Sequence, residues 1–268
     1  MPMAALLLID VQNDFHAGGS LAVPGADEDA ARIAQMIMDN LDSVSEVFVT
    51  LDSHNREHIA HTNRWNSKAD GTGEAPGVFT LISHQDVVDG VWHPTDPTQA
   101  AHCASYTKAL EEKGRFKLTI WPDHCIIGSP GNDVVPSIQV ALDAWQTKTG
   151  KKVQYVRKGQ NNLTEMYSAI EAEVPMDDDH TTGTNHAFVE ALKGAERVII
   201  GGQALSHCVN YTTRDLVKYW TREPQHLVLL TDGASAVPGC DADAAKFVED
   251  MRAANLTLAS CAEAFSVL

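Results

Sequence analysis

Five residues are of types that perform chemistry and fall where a fold would expose them. They are Asp10 ending "ALLLID", Asp52 and His54 in "TLDSHN", Lys158 in "YVRKG", and Cys208 in "QALSHCVNY". A free cysteine is by default a small buried hydrophobe. Cys208, however, follows Gly201 and Gly202, which leave room for a backbone turn, and it opens a helical pattern. A thiol at a helix N-terminus feels the positive end of the dipole, which is expected to lower its pKa. Unpaired N–H groups at that end can hold an oxyanion. A nucleophilic thiol also needs a base or a cation nearby, and Asp10 and Lys158 supply those types. Cys103, Cys125, Cys240 and Cys261 lack this setting, although Cys125 adjoins His124, and all four are assigned to packing or surface roles.

A second constellation begins at Asp52-Ser53-His54. Residues two apart on extended backbone face the same side, so the carboxylate and the imidazole can converge. "NREHIAH" adds His58 and His61, and "WPDHC" adds His124. Two histidines and a carboxylate, with positions left open, suit a catalytic Zn²⁺, Fe²⁺ or Mn²⁺. His58 and His61 remain open as further ligands. His16, His84, His93, His102, His180, His186 and His226 are read as structural or surface residues.

The elements that must position these groups alternate along the chain. Strands are predicted at Ala5–Asp10, Glu46–Asp52, Val153–Arg157, Arg197–Ile200, Leu227–Thr231 and Leu256–Ser260. Helices are predicted at Asp27–Leu41, Gln99–Lys113, Asn185–Lys193, His207–Trp220 and Asp241–Asn255. Strands apolar on both faces, alternating with helices, predict an α/β fold: a parallel doubly wound sheet covered by helices on each side. In such folds functional residues gather at the carboxyl ends of strands, where Asp10, Asp52, Lys158 and Cys208 all fall. The stretch from His58 to about Val134 breaks the rhythm; it is rich in Gly, Pro, His and Trp and reads as a functional or partly structured insertion. Asp177–Asp179 reads as a solvated loop.

The 268 residues carry 36 acidic and 20 basic side chains, a net charge of −16. There is no basic cluster of the kind a nucleic-acid binder needs, and the field repels anionic membrane surfaces. No apolar run reaches the length of about 20 residues that spans a bilayer. "MPMAALLLIDVQND" reads as a buried strand rather than a signal peptide, and five scattered cysteines make no disulfide framework. A cytoplasmic protein is expected. The absence of GxGxxG or a Walker motif argues against dinucleotide or ATP binding.

"LLLIDVQNDFHAGGSLAVPGA", "VTLDSHNREHIAH", "WPDHCIIGSPG", "VRKG", "MYSAI" and "ALSHCV" resemble, in order, the motifs of nicotinamidases and pyrazinamidases, members of the isochorismatase-like cysteine hydrolases. The resemblance implies one isochorismatase-like domain over 1–268, a three-layer sandwich around a six-stranded, mainly parallel sheet, with an extended insertion around 60–120. It implies Asp10 as the base for the thiol proton, Lys158 as the third member of the triad, and Cys208 as the nucleophile. Asp52, His54 and His124 would hold one divalent metal, Zn²⁺ first and Fe²⁺ or Mn²⁺ next, which meets a pyridine nitrogen. Phe15 and Trp121 would flank the ring. A cis Gln203–Ala204 peptide would aim the Ala204 N–H at the oxyanion beside that of Cys208. The expected partners are a small-molecule amide and other copies of the chain, in a homo-oligomer.

The sequence departs from the family pattern at Leu205 and Ser206, where Thr and Asp are usual, at Ile170, where an aromatic is usual, and in the length of the insertion. These leave open a relative acting on another carboxamide, carbamoyl or ureido substrate. A reading from a different class, a non-catalytic binding protein with an inert Cys208, stays open as well.

Overall fold

The computed structural model describes residues 3–267. Its centre is a parallel sheet of six strands: β1 (Ala4–Ile9), β2 (Val44–Asp52), β3 (Gln154–Lys158), β4 (Arg197–Gly202), β5 (Leu227–Leu230) and β6 (Thr257–Ala259). The spatial order is β6-β5-β4-β1-β2-β3, with every neighbouring pair parallel. The order reverses direction at β1, so β1 and its two neighbours carry the switch point where ligands bind in open α/β sheets.

The period-two alternation of the strands divides the interior into two layers. Ala5, Leu7 and Ile9 of β1 face one side and pack with Phe188 and Leu192 of helix His186–Lys193, Leu216 of helix Cys208–Tyr219, and Phe247 and Met251 of helix Asp241–Ala253. Leu6 and Leu8 face the other side and meet Ile33 and Ile37 of helix Ala26–Asp39 and Ile138, Leu142 and Trp145 of helix Pro136–Thr149. Burying an aliphatic side chain of this size stabilises by about 1.5–3 kcal/mol each, before the cost of chain ordering.

Element boundaries differ from the sequence reading by one or two residues, with two larger corrections. Helix Pro136–Thr149 was not anticipated. It follows directly on the irregular insertion, and its buried positions Ile138, Ala141, Leu142 and Trp145 are interleaved with Gln, Asp and Val140, which is exposed. Strand β3 is not apolar on both faces: Gln154, Tyr155 and Arg157 are exposed because β3 is an edge strand.

The insertion is folded. Trp65–Asn66 pairs antiparallel with His93–Pro94, Leu81–Ile82 pairs with Leu118–Thr119, and a helix spans Ala100–Glu112. Trp65, Ile82, Cys103, Tyr106, Leu110, Leu118 and Ile120 join the same apolar layer as β1 and helix Cys208–Tyr219, so the insertion shares the core. Asp177 and Asp178 are exposed in a loop, as read from the sequence, whereas Asp179 is half-buried and accepts from Asn161 Nδ2 at 2.8 Å and the Thr181 N–H at 2.9 Å.

Candidate active site

The strand ends bring the chemistry together through backbone register. Asp52, the last residue of β2, pairs directly with Lys158, the last of β3, and Ile9 at the end of β1 pairs with Gly202 at the end of β4. Gly202 has φ +119°, and a Cβ there would stand 2.0 Å from the Ile9 carbonyl oxygen, so only glycine lets the two strand ends close. The chain then turns through a cis Gln203–Ala204 peptide and enters the helix that Cys208 opens. Neither the Ala204 nor the Cys208 N–H has a backbone acceptor among the described residues, which leaves both donors for a ligand.

Lys158 is the hub. Its Nζ lies 3.0 Å from Asp10 Oδ2, 3.0 Å from Asp52 Oδ1, 3.0 Å from the Met166 carbonyl and 3.5 Å from Cys208 Sγ. Burial works against the ammonium charge, but Asp10 and Asp52 outweigh it and hold the lysine well above its usual range. Burial raises the Asp10 carboxyl against the pull of Lys158, and ligand atoms of Asp10, Asp52 and Cys208 all lie within 4.8 Å of one another. Thr50 Oγ1 donates to Asp10 Oδ1 at 2.5 Å and accepts from the Asp10 N–H at 3.1 Å, which fixes the carboxyl group.

The expected lowering of the Cys208 pKa is not found. Burial pushes the thiol well above its ordinary value; Lys158 pulls it down, and the two nearby carboxylates push it up again. Cys208 therefore rests as a thiol beside a carboxyl group able to take its proton. Burial also raises Cys103, to about 11, and Cys125. Cys208 is set apart by its partners rather than by its acidity.

Asp52 joins this group to the histidines. Its Oδ2 lies 3.0 Å from His54 Nε2 and 3.2 Å from His124 Nε2, and one ligand atom from each residue falls within 4.8 Å of the others. On the far side of each ring, His54 Nδ1 faces the Gly159 carbonyl at 3.0 Å and His124 Nδ1 faces the Pro122 carbonyl at 2.8 Å. A carbonyl and a carboxylate only accept, so without an ion both rings would have to carry two protons, with centroids 4.8 Å apart in a buried site that already holds Lys158. A divalent cation removes that conflict: each Nδ1–H stays on its carbonyl and each Nε2 lone pair turns inward, the arrangement that orients metal-bound histidines. The residues therefore fit a divalent metal, with an N₂O donor set suited to Zn²⁺, Fe²⁺ or Mn²⁺.

The two remaining histidines of "NREHIAH" are both buried but differ in their bonding. His58 Nε2 faces the Thr164 carbonyl at 3.1 Å and its Nδ1 accepts the Ala60 N–H at 3.3 Å, so its nitrogens are occupied. Burial, with His54 and His124 nearby, lowers His61 to about 3 and keeps it neutral.

Both groups open on a narrow pocket walled by Phe15, Leu21, Trp121, Tyr167, Val237 and the edges of Asp52, His124 and Cys208. Phe15 and Trp121 thus stand on the pocket wall with the sulfur and the candidate ligands. Trp121 Nε1 donates to Tyr167 Oη at 2.9 Å, and Phe79 of the insertion stands edge-on to Trp121 at 5.9 Å.

Four contributors escaped the sequence reading. Gln12 brackets Asp52, donating from Nε2 to its carbonyl and accepting its N–H, each at 2.8 Å. Asp14 accepts the Cys125 N–H at 2.6 Å and anchors the loop that carries His124. His207 lines the pocket between Trp121 and Tyr167, and burial lowers it to about 4. Glu165 lies on the same wall, with its carboxyl raised by burial. Their signal was adjacency to recognised motifs: "DVQND", "SHC" and "EMYSAI".

No family model matches the sequence. Among curated proteins, the chain is similar to a nicotinamidase of Escherichia coli (strain K12), 28% identical over 269 residues that cover 98% of this chain and 97% of the relative. It is also similar to a nicotinamidase/pyrazinamidase of Mycobacterium tuberculosis, 28% identical over 256 residues, 96% of this chain and 98% of the relative. Among solved structures, a nicotinamidase/pyrazinamidase of Acinetobacter baumanii shares the fold with TM-score 0.66 at 22% identity, over 98% of each chain. A pyrazinamidase of Pyrococcus horikoshii in complex with zinc shares it with TM-score 0.57 at 21% identity, over 97% of this chain and 99% of the other. The chain is thus similar to nicotinamidases along nearly its whole length, and it shares the α/β fold of solved nicotinamidase and isochorismatase-family structures.

Proposed function

We propose that the protein is a cysteine amidohydrolase that converts nicotinamide and water to nicotinate and ammonia. The observation that carries this reading is that one lysine nitrogen touches Asp10, Asp52 and Cys208 at the floor of an apolar pocket walled by aromatic rings. An apolar slot with a few convergent polar groups suits a flat aromatic amide.

In this mechanism Asp10 takes the Cys208 proton and the sulfur attacks the amide carbon. Lys158 offsets the negative charge that the proton transfer spreads over Asp10 and the sulfur. The carbonyl oxygen becomes an oxyanion and accepts from the Ala204 and Cys208 N–H groups; losing one such donor typically costs about 3 kcal/mol of barrier. Asp10 returns its proton to the departing nitrogen, ammonia leaves, and a thioester to Cys208 remains. Asp10, again ionised, takes a proton from water as that water attacks the thioester carbon. The C–S bond then breaks, the proton passes to the sulfur, and nicotinate is released. Asp52, His54 and His124 would hold a divalent ion, Zn²⁺ by donor type, which when bound supplies a Lewis-acid anchor for the ring nitrogen. Phe15 and Trp121 confine the ring, and the reaction would recover nicotinamide for pyridine-nucleotide synthesis.

The test is ammonia release from nicotinamide, pyrazinamide and a set of carbamoyl and ureido amides, by the protein and by Cys208→Ala. Turnover of the pyridine and pyrazine amides that vanishes in the variant supports the reading. Turnover confined to carbamoyl or ureido amides shifts the substrate class, and activity retained by Cys208→Ala sinks the mechanism.

A further inference from the structure

Four imidazoles crowd beside Asp52, and the proposed site uses two. His54 and His61 each contact the other three of His54, His58, His61 and His124, with ring centroids 4.3 to 5.7 Å apart. His58 has nothing left to offer an ion, because both of its nitrogens are taken by backbone groups.

His61 differs. Its Nδ1 faces the Arg56 carbonyl at 3.3 Å, with Asp123 Oδ1 at 3.7 Å, and both are acceptors. That nitrogen therefore carries the proton and Nε2 is a bare lone pair. Nε2 is buried and has no hydrogen-bond partner among the described residues. A buried acceptor without a donor costs about 1–3 kcal/mol, so the position calls for a group that is absent from the polypeptide. The backbone accounts for the placement. His61 forms a bridge with Trp121, the Trp121 N–H donates to the Ala60 carbonyl at 2.8 Å, and His54 forms a second bridge with Ile126. These ties lay His54 and His61 along the segment that carries His124. All three rings follow one plan, with Nδ1 against a backbone carbonyl and Nε2 free of backbone partners. His61 Nε2 lies outside the trio of ligand atoms that share a 4.8 Å spacing, which puts it one layer further out.

We propose that His61 is a fourth protein residue of the metal site, its Nε2 accepting a hydrogen bond from a water carried by the ion that Asp52, His54 and His124 hold. The proposal rests on the metal reading given above. His61 fixes the orientation of that water, acting on the ion as a positioning residue.

The experiment measures the Zn²⁺ dissociation constant of the full-length protein by competition with a chromophoric chelator. His61→Phe keeps a buried ring of similar size and removes the acceptor; His61→Gln restores an acceptor. The expected result is a Zn²⁺ affinity about 10–100-fold weaker in His61→Phe, partly recovered in His61→Gln. His61→Leu reads the same loss if the phenyl ring is not accommodated. Affinity within twofold of the parent in a folded His61→Phe or His61→Leu, alongside lost binding in His54→Ala, overturns the role of His61 and leaves the metal reading standing. A parent protein that does not bind Zn²⁺ overturns both.

Discussion

Asp52 and Lys158 face each other across β2 and β3 in direct register, and their side chains meet at 3.0 Å in a buried site. The same ammonium also serves Asp10 at 3.0 Å, so one cation balances two buried carboxylates. Lys158→Met strands both acids. The expected cost is about 3–5 kcal/mol of folding stability, as for other buried pairs that lose one partner, together with loss of amidase activity. Urea unfolding of parent and variant checks this, with Cys208→Ala as the comparison, since that change removes the sulfur but leaves the charges paired. A Lys158→Met variant as stable as Cys208→Ala would contradict the central place of the lysine.

If the divalent ion anchors the ring, removing it acts on binding. Dialysis against a chelator, with metal content verified, is expected to raise KM for nicotinamide by roughly tenfold or more, equivalent to about 1.4 kcal/mol or more of lost interaction. Addition of Zn²⁺ should reverse the change. Steady-state kinetics before and after is the measurement, and a KM unaffected by verified metal loss argues against the anchoring role.

Gly159 has φ +74°, and a Cβ there would come within 2.6 Å of His54 Cε1 and 3.0 Å of Asp52 Oδ1. Gly159→Ala is therefore expected to push His54 off its carbonyl and weaken Zn²⁺ binding by about 10–100-fold, as loss of an orienting partner does. The chelator competition described above reads it directly. Parent-like affinity would mean that the loop yields instead of the histidine.

Away from the pocket, burial raises Glu173 to about 7, against the pull of Arg115 and with the repulsion of Asp215. A carboxyl whose folded pKa lies above its unfolded value keeps its proton in the folded chain. Between the ordinary glutamate range and about pH 7 the folded state then binds more protons than the unfolded one, so stability falls as pH rises through that window. Glu173→Gln is expected to flatten this slope. Chemical denaturation between about pH 4 and 8 tests it, and an identical slope in both proteins would show that other groups set the pH dependence.

How much could be read in advance depended on whether the signal was local. Strands β1 and β2 are dense in apolar residues and carry their chemistry at their ends, and Cys208 follows two glycines where a strand gives way to a helix, so Asp10, Asp52 and Cys208 were legible. Helix Pro136–Thr149 was not, because the irregular insertion runs into it and exposed Val140 blurs its apolar face. The acidity of Cys208 was misjudged for a related reason. The helix N-terminus is visible in a sequence, whereas burial beside two carboxylates is a three-dimensional property. The Nδ1 contacts of His54, His61 and His124 are all to backbone carbonyls, and side-chain identity carries no trace of those.

Asp52 divides its two oxygens between separate tasks: Oδ1 holds Lys158, and Oδ2 faces the two histidines. Whatever changes the charge on one side of that carboxyl group is felt on the other within a single functional group. Occupancy of the histidine side would draw electron density from Asp52, loosen its claim on the lysine, and leave more of that positive charge for Asp10 and the sulfur. An inhibitor that strips the ion would then blunt the nucleophile without touching it, and a mutation tuning either half would have to be tolerated by both.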